Sequence, residues 1–506
     1  LEAANGNLTK ARQGLETASR RDGGDPIQEE IALLRGELEL HAKDAAAAKT
    51  AFAAALKQKP SARAHYGLAR AAKLAGDEET MKSEVQATLA ATPNHPGAII
   101  LRASQKYTDG DEAGAMVDYV LVADGAAKAL SAPNEIADAL TQKGFIDMKR
   151  GRAGDARVSF ESALKLIGTH IEALVGQGML LSSEGRTTEA LSRFDTAIQN
   201  DPADTRAIAW DAITKVRLER LKEAKDQLVA ARAQFPKSML LAFALAEAER
   251  ALGNRDAAEK ALRESIDLAQ AKDPDAMLPY IALANVLASE DKNDQARAII
   301  ADAGTKLPDT PALERALGEF LAGQGHYDDA VVRYRRATEL DPADLATRFK
   351  LGVTYRRMRK MDDASAQFDQ VLAVDKDYPG LSLERGLLYE ESGDTEKALE
   401  QFKNALAKAP DDPDLMLRVG AAYVAIDRPD DALPMLRKVL EKRANSAEAN
   451  HYLGRALFAK GGTSAAEATR YLKRATELDP NRAEYHLYVA WAANESNSRE
   501  ALGTAS

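Results

Sequence analysis

The chain is 506 residues long, beyond the ~100–200 residues of one ordinary domain, so it holds several domains or a repeat array. Its formal net charge of −10 opposes the clustered positive surface that non-specific phosphate binding needs, and nucleic acid is not an expected partner. It has no cysteine, which excludes disulfides, thiolate metal sites and cysteine nucleophiles, and its 45% hydrophobic content excludes a disordered chain. Richness in Ala, Leu, Glu, Lys and Arg with only 5% aromatics favours helix over sheet. No apolar run approaches the ~18–20 residues of a membrane helix, so no membrane insertion is expected of this stretch.

In chain order, Gly6 to Pro26 reads as one helix, with Ala11, Leu15 and Ala18 on a shared face. From there a beat of 34 residues takes over, and internal repeats are sought before local structure. Gly144, Ala156, Phe160 and Ala163 return one step later as Gly178, Ala190, Phe194 and Ala197, followed by Pro202. Another step gives Ala212, Ala224, Leu228, Ala231 and Pro236. The pattern comes back as Gly318, Ala330, Tyr334, Ala337 and Pro342, and as Gly386, Ala398, Phe402, Ala405 and Pro410. Each unit reads as two helices of about a dozen residues joined by a polar turn such as Glu391-Ser392-Gly393-Asp394. Small residues at fixed places let the two backbones approach, and the large residue between the two Ala fills the core. Pro or Asp-Pro closes the second helix, because Pro lacks the N–H and disfavours helix in the residue before it.

Units begin near Glu29, Ala62, Pro96, Ala137, Ile171, Thr205, Met239, Met277, Pro311, Leu345, Pro379, Pro413 and Ala447, about thirteen in all. The second is degenerate, with Met81 and Thr88 where Ala is usual. Spacers at Ala126 to Ile136, at Lys272 to Asp275 and at Gly461 to Thr463 break the beat, and the first is expected to kink the stack. Residues 1–28 read as a half repeat, 29–132 as units 1–3, 133–276 as units 4–7, 277–480 as units 8–13, and 481–506 as a last partial repeat. Ala483 to Asn494 has the form of a first helix, with its second due to start at Ala501, so the chain is expected to be a piece of a longer protein.

These residues resemble the tetratricopeptide repeat family. YDDAVVRYRRATELDP (Tyr327 to Pro342) and TEKALEQFKNALAKAP (Thr395 to Pro410) are similar to its second helix, and AEANHYLGRALFAKG (Ala447 to Gly461) to its first. The resemblance covers nearly the whole chain. It implies an all-α fold, a right-handed α-solenoid of helix-turn-helix repeats, with an inner wall built from first helices. Repeat positions 2, 5, 9, 12 and 13 then face the groove.

The search for chemistry finds little. His41, His65, His95, His170, His326, His451 and His486 lack the paired spacing of zinc enzymes and are expected at the surface or in turns. Gly323-Gln324-Gly325 and Gly176-Gln177-Gly178 have no strand before them and no third Gly for a phosphate cradle. Asp291 to Asp294 lacks the Gly and distal Glu of a calcium loop, and Asn7-Leu8-Thr9 is a formal sequon at an inter-helix turn. No catalysis, cofactor or metal is expected.

For partners, the groove positions of the third to sixth units are Ile100 and Tyr107, Phe145 and Met148, Val175 and Met179, Ile213 and Val216. They form an apolar trough for an amphipathic helix or an extended apolar segment, with the alternative that neighbouring first helices bury them against each other. A second face, Arg63, Tyr66, Arg70 and Lys73, suits an acidic peptide or is a solvated helix face. In the basic run Arg356 to Met361, Arg356 and Arg357 occupy the places of Glu390 and Glu391 one repeat on, so salt bridges between repeats are expected. The chaperone-tail clamp of this family is absent, because position 9 is Asn only at Asn285, whose position-5 partner is Ile281.

The expected function is a protein–protein scaffold that binds a peptide or protein in the concave groove. By resemblance, long bacterial arrays of this kind serve in polysaccharide export, outer-membrane assembly, pilus and gliding machinery or cell polarity. The compartment stays open between bacterial cytoplasm and periplasm. Two rivals are a substrate-recruiting arm of an enzyme whose catalytic domain lies elsewhere, and a self-associating structural element.

Overall fold

A computed structural model describes residues 8–19, 25–271, 273, 275–461 and 464–503. Asn7 of the sequon, Lys272, Pro274, Gly462 and Thr463 lie outside the described residues. Within them the chain forms 28 α-helices and one 3-10 turn, Lys128–Leu130, and no strand.

Repeat 5 shows how the sequence makes one hairpin. His170 caps Ile171–Ser183, its Nδ1 accepting from the N–H of Ala173 at 3.3 Å. The second helix, Thr187–Asn200, buries Ala190, Phe194 and Ala197 completely. Gly178 lies against the Phe194 ring, so a Cβ there would come within 2.6 Å of it. Gly144 stands in the same way on Phe160, Gly318 on Tyr334, Gly386 on Phe402 and Gly420 on Leu436. The small residue is therefore the socket for the large one, and each such burial contributes roughly 1.5–3 kcal/mol.

The turn between the two helices repeats as faithfully as the core. Its central residue has positive φ in every repeat, from Lys43 and Gly76 through Glu219 and Arg359 to Gly461. Gly supplies the left-handed backbone in most repeats, while Lys43, Glu219, Asp291, Arg359 and Asp427 adopt it with a side chain, at φ 57–59°. Gly325 and Asp291 are the positive-φ residues of two such turns, with Gly323 ending the helix Pro311–Gly323 and Asn293 and Asp294 opening the helix Asn293–Lys306.

The helices depart from the expected bounds in four places, and the first helix of repeat 1 already begins at Asp25, not Glu29. The first helix of repeat 4 begins at Pro133, not Ala137, because Pro suits the first helical position and Glu135 accepts from the N–H of Ala132 at 2.7 Å. Repeat 11 begins at Leu381, after Gly380 at φ +80°. The last helix runs unbroken from Ala483 to Gly503, not turning before Ala501, for no Gly or Pro stands between Asn494 and Ala501.

Repeats 3, 4 and 6 are charged where an apolar residue flanks the packing position in repeats 9 and 10 (Leu317, Leu321, Leu351, Tyr355). Arg102 and Lys106 both reach Asp118, at 2.7 and 2.9 Å. Lys143 reaches Asp147 at 2.9 Å and Ser159 at 3.0 Å, and Lys215 reaches Asp211 at 2.8 Å. Gln227 joins that last pair, its Nε2 donating to Asp211 and its Oε1 accepting from Lys215, each at 2.8 Å. The three buried carboxylates are each matched by a cation, as desolvated charge requires. The chain divides into two compact units, Leu1–Thr347 and Arg348–Ser506.

Candidate functional site

The eight groove residues read from the sequence lie on first helices, and none is fully exposed. Phe145, Val175 and Ile213 are 7%, 1% and 7% exposed, and the other five are half-buried. Phe145 meets Phe160 edge-on with 5.2 Å between centroids, and Met148 and Met179 pack on that pair. Ile100 and Tyr107 pack against the cluster of Tyr119, Leu140 and Ile146. Val175 joins Leu174 and Phe194, with Met179 and Trp210 alongside.

Within the N-terminal unit the chain comes back on itself. The turns that end the first helices of repeats 3 and 4 rest on the links that follow repeats 8 and 9. Arg150 donates from Nε to Asp341 at 2.6 Å, with the two residues 3% and 0% exposed. Arg152 donates to the carbonyl of Ala343 at 3.1 Å, and a Cβ on Gly110 would stand 2.9 Å from the carbonyl oxygen of Asp309. The same tetrapeptide, Asp-Pro-Ala-Asp, occurs at 201–204 and 341–344. Asp201 and Asp204 are half-exposed, whereas Asp341 is buried under Arg150 and Asp344 is buried with Arg315 and Thr347 as its partners.

Beside it lies a cavity of about 70 Å³ lined by Tyr107, Glu112, Lys149, Met277, Pro308 and Leu313. Burial pushes the Glu112 carboxyl up. Burial opposes the Lys149 charge, but Tyr107 and Glu112 outweigh it and hold that pKa above its ordinary value. Arg206 covers Phe145, its guanidinium carbon 4.6 Å from the ring centroid, and pairs with Asp275 at 3.3 Å. Tyr107 and Phe145 are thus roofed by other parts of the same unit.

The basic face is largely engaged with the preceding first helix. Arg63 pairs with Glu30 and Arg70 with Glu37, each at 2.8 Å. Arg70 also lies 5.5 Å over the Tyr66 ring, which fills the space left by Gly97. Lys73 is exposed beside a cleft, and desolvation lowers its pKa against the pull of Asp138.

Sequence reasoning passed over the C-terminal unit. There position 5 reads Phe349, Leu383, Leu417, His451 and Tyr485, each 34 residues after the last. Leu383, Leu387, Leu417, Val424 and Phe458 are half-buried beside the core of repeats 11 to 13. Salt bridges between repeats flank this stripe, as the basic run suggested: Arg356 reaches Glu384 at 2.9 Å and also Glu391, and Arg418 reaches Glu390 at 2.9 Å. The same periodic tabulation that yielded the N-terminal set would have found it.

The histidines are not all peripheral. His451 is 1% exposed, stacked 4.4 Å from Tyr485, and burial pulls its pKa down to about 4. His65 meets Glu84 at 2.6 Å and His170 meets Asp138 at 2.9 Å, a hydrogen bond that raises the His170 pKa. The surface-or-turn expectation fails for His451, because its place in the 34-residue beat puts it between two first helices. Among the described residues no group of three His, Asp or Glu could hold a metal ion, and no helix is long and apolar enough to cross a membrane.

Comparison with known proteins points the same way as the repeat geometry. Two family profiles described as tetratricopeptide repeat match residues 1–60 and 349–413, and 427–492. The cellulose synthase 1 operon protein C of Komagataeibacter xylinus is 26% identical over 234 residues, 43% of this chain and 17% of that protein. Anaphase-promoting complex subunit 7 of Mus musculus is 25% identical over 182 residues, 36% of this chain and 32% of that protein. The chain therefore spans a third or less of the length of these curated relatives. The crystal structure of the APC/C hetero-tetramer Cut9–Hcn1 aligns with a TM-score of 0.40 at 16% identity, over 92% of this chain and 96% of that one. With the profile matches falling on hairpins whose cores and turns recur at 34 residues, the chain belongs to the tetratricopeptide repeat family.

Proposed function

We propose that this chain is a non-catalytic scaffold that holds a partner protein by an apolar segment laid along its first helices. Tetratricopeptide repeat proteins are in general interaction scaffolds for protein or peptide partners. The observation that carries the reading here is the position-5 run Phe349, Leu383 and Leu417 of the C-terminal unit, half-buried like its neighbours Leu387 and Val424. Apolar side chains left half-covered beside paired charges suit an amphipathic helix, read at three- and four-residue spacing. In the N-terminal unit, the half-buried Ile100, Met148, Met179 and Val216 would offer a separate contact of the same kind. Phe145, Val175, Ile213 and the roofed Tyr107 act by joining repeats.

The setting we favour is a bacterial envelope or export assembly, among the motility, pilus and polarity systems such arrays serve. What supports it is the Komagataeibacter xylinus relative, named for a cellulose synthase operon. A displayed peptide library tests the binding face directly. Selected peptides should carry apolar residues at i, i+3 or i+4 and lose affinity for Leu387→Asp/Leu417→Asp. Equal binding to that folded double variant would reject the reading.

A further inference from the structure

Between the second helix of repeat 2, Glu78–Ala91, and the first helix of repeat 3, Pro96–Thr108, lies a cleft of about 580 Å³. None of the groove-facing positions of repeat 3 lines it, so it is separate from the partner face proposed above. Its walls are Met81, Val85, Leu89 and Leu101, and Lys82, Arg102 and Lys106 stand at its mouth.

Two sequence features open it. In every other repeat the residue between the two small positions of the second helix is Phe, Tyr, Leu or Ile, but in repeat 2 it is Val85. In repeat 3 the residues flanking the packing position are Arg102 and Lys106, and both turn to Asp118 on the helix Glu112–Ala123. They leave a cleft against the apolar wall of repeat 2, in which Met81, Val85 and Leu101 are buried and Leu89 is half-buried.

The charges do not balance. Asp118, 2% exposed, is one carboxylate between two cations, and Lys82 pairs with Asp109 at 3.1 Å. Three cations thus face two carboxylates. Arg102 engages Asp118 through Nε and Nη2, so its other donors remain for a second anion. A volume of this order is typical of small-molecule sites, which combine apolar walls with a few placed polar groups. Charge-assisted hydrogen bonds to carboxylate are the strong ones.

We propose that this cleft binds a small amphiphilic carboxylate, its acyl chain against Met81, Val85, Leu89 and Leu101 and its head group at Arg102 and Lys106. The probe is dodecanoate, titrated into the whole chain below its micelle concentration and followed by calorimetry, with dodecyltrimethylammonium as the cationic counterpart. One saturable site is expected for dodecanoate. Val85→Phe, which places in the wall the residue that repeats 1, 4 and 5 carry, should weaken it by about tenfold or more. Lys106→Gln, which removes the excess charge and leaves Arg102 on Asp118, should weaken it by roughly fivefold to tenfold. Absence of a saturable dodecanoate site overturns the proposal, as does equal affinity for the cationic amphiphile. Unchanged dodecanoate affinity in Val85→Phe or in Lys106→Gln, each with wild-type helicity, also overturns it.

Discussion

Replacing Asp341 by Ala should open the contact by which the N-terminal unit closes on itself. Arg150 is 3% exposed and its Nη2 has no partner, so Asp341 is what neutralises it. Removing one member of a buried pair leaves an uncompensated charge and costs about 3–5 kcal/mol. Asp341 also accepts from the N–H of Ala343 at 3.0 Å, so Asp341→Asn, which can keep that bond, should cost less. Replacing both partners, as Arg150→Met/Asp341→Leu, should recover most of the loss, because an apolar pair carries no desolvation penalty.

In a repeat array stability is a sum over neighbouring interfaces, so the hairpins themselves should survive. The loss should appear as separation of residues near 150 from residues near 341. The chain has no cysteine, so Asp155→Cys/Ala343→Cys can carry spin labels at two defined places. Electron–electron resonance should give one short, narrow distance in the parent and a longer, broader one with Asp341→Ala. An unchanged distribution, with helicity retained, would refute the claim that this ion pair holds the two stretches together.

Other outcomes can be checked by urea unfolding and hydrogen exchange. Gly178→Val drives a side chain into the buried Phe194 ring and should cost about 1–3 kcal/mol, part of it regained with Phe194→Leu. Glu219→Gly relieves a left-handed backbone at φ 59° and should raise the unfolding free energy by about 0.5–1 kcal/mol, since Gly's gain there exceeds its added unfolded-state entropy. Arg356→Glu loses charge-assisted bonds to Glu384 and Glu391, costs about 1.5–3 kcal/mol, and should be partly restored by Glu391→Arg. His451 has a depressed folded pKa, about 4 against an ordinary 6.5, so the stability it contributes is whole above 6.5 and is lost as pH falls toward 4. Protection factors, exchange taken relative to the intrinsic rate at each pH, should therefore fall over that window in the helices Ala447–Lys460 and Ala483–Gly503, and His451→Gln should remove the fall.

What was legible in the sequence is what recurs locally. A small residue at one place and a large one sixteen later, as in Gly178 and Phe194, need only a neighbouring helix to meet, so the period revealed them. The inter-repeat pairing of Arg356 with Glu391 was legible for the same reason, one beat apart. The contact of Arg150 with Asp341 spans 191 residues and follows from small rotations added over several repeats, which no local pattern encodes. The cations of Arg102 and Lys106 were equally hidden, because a period sought in apolar and small residues passes over charges that stand in apolar places. His451 was misread as peripheral because a lone histidine has no signature of its own, although its register with Leu417 and Tyr485 placed it on an inner helix face.

Binding and closure meet in one consequence. Where the N-terminal unit roofs Tyr107 and Phe145 with its own residues, a partner would have to displace Arg206 and the neighbouring links. Phe349, Leu383 and Leu417 form a half-buried apolar lining of their own. Hydrogen–deuterium exchange of the chain with and without a library-selected peptide distinguishes the two faces most directly. Protection should concentrate in the first helices Leu381–Ser392, Pro413–Ala425 and Ala447–Lys460. Protection confined to Pro96–Thr108, Pro133–Lys149 and Ile171–Ser183 instead would contradict the account.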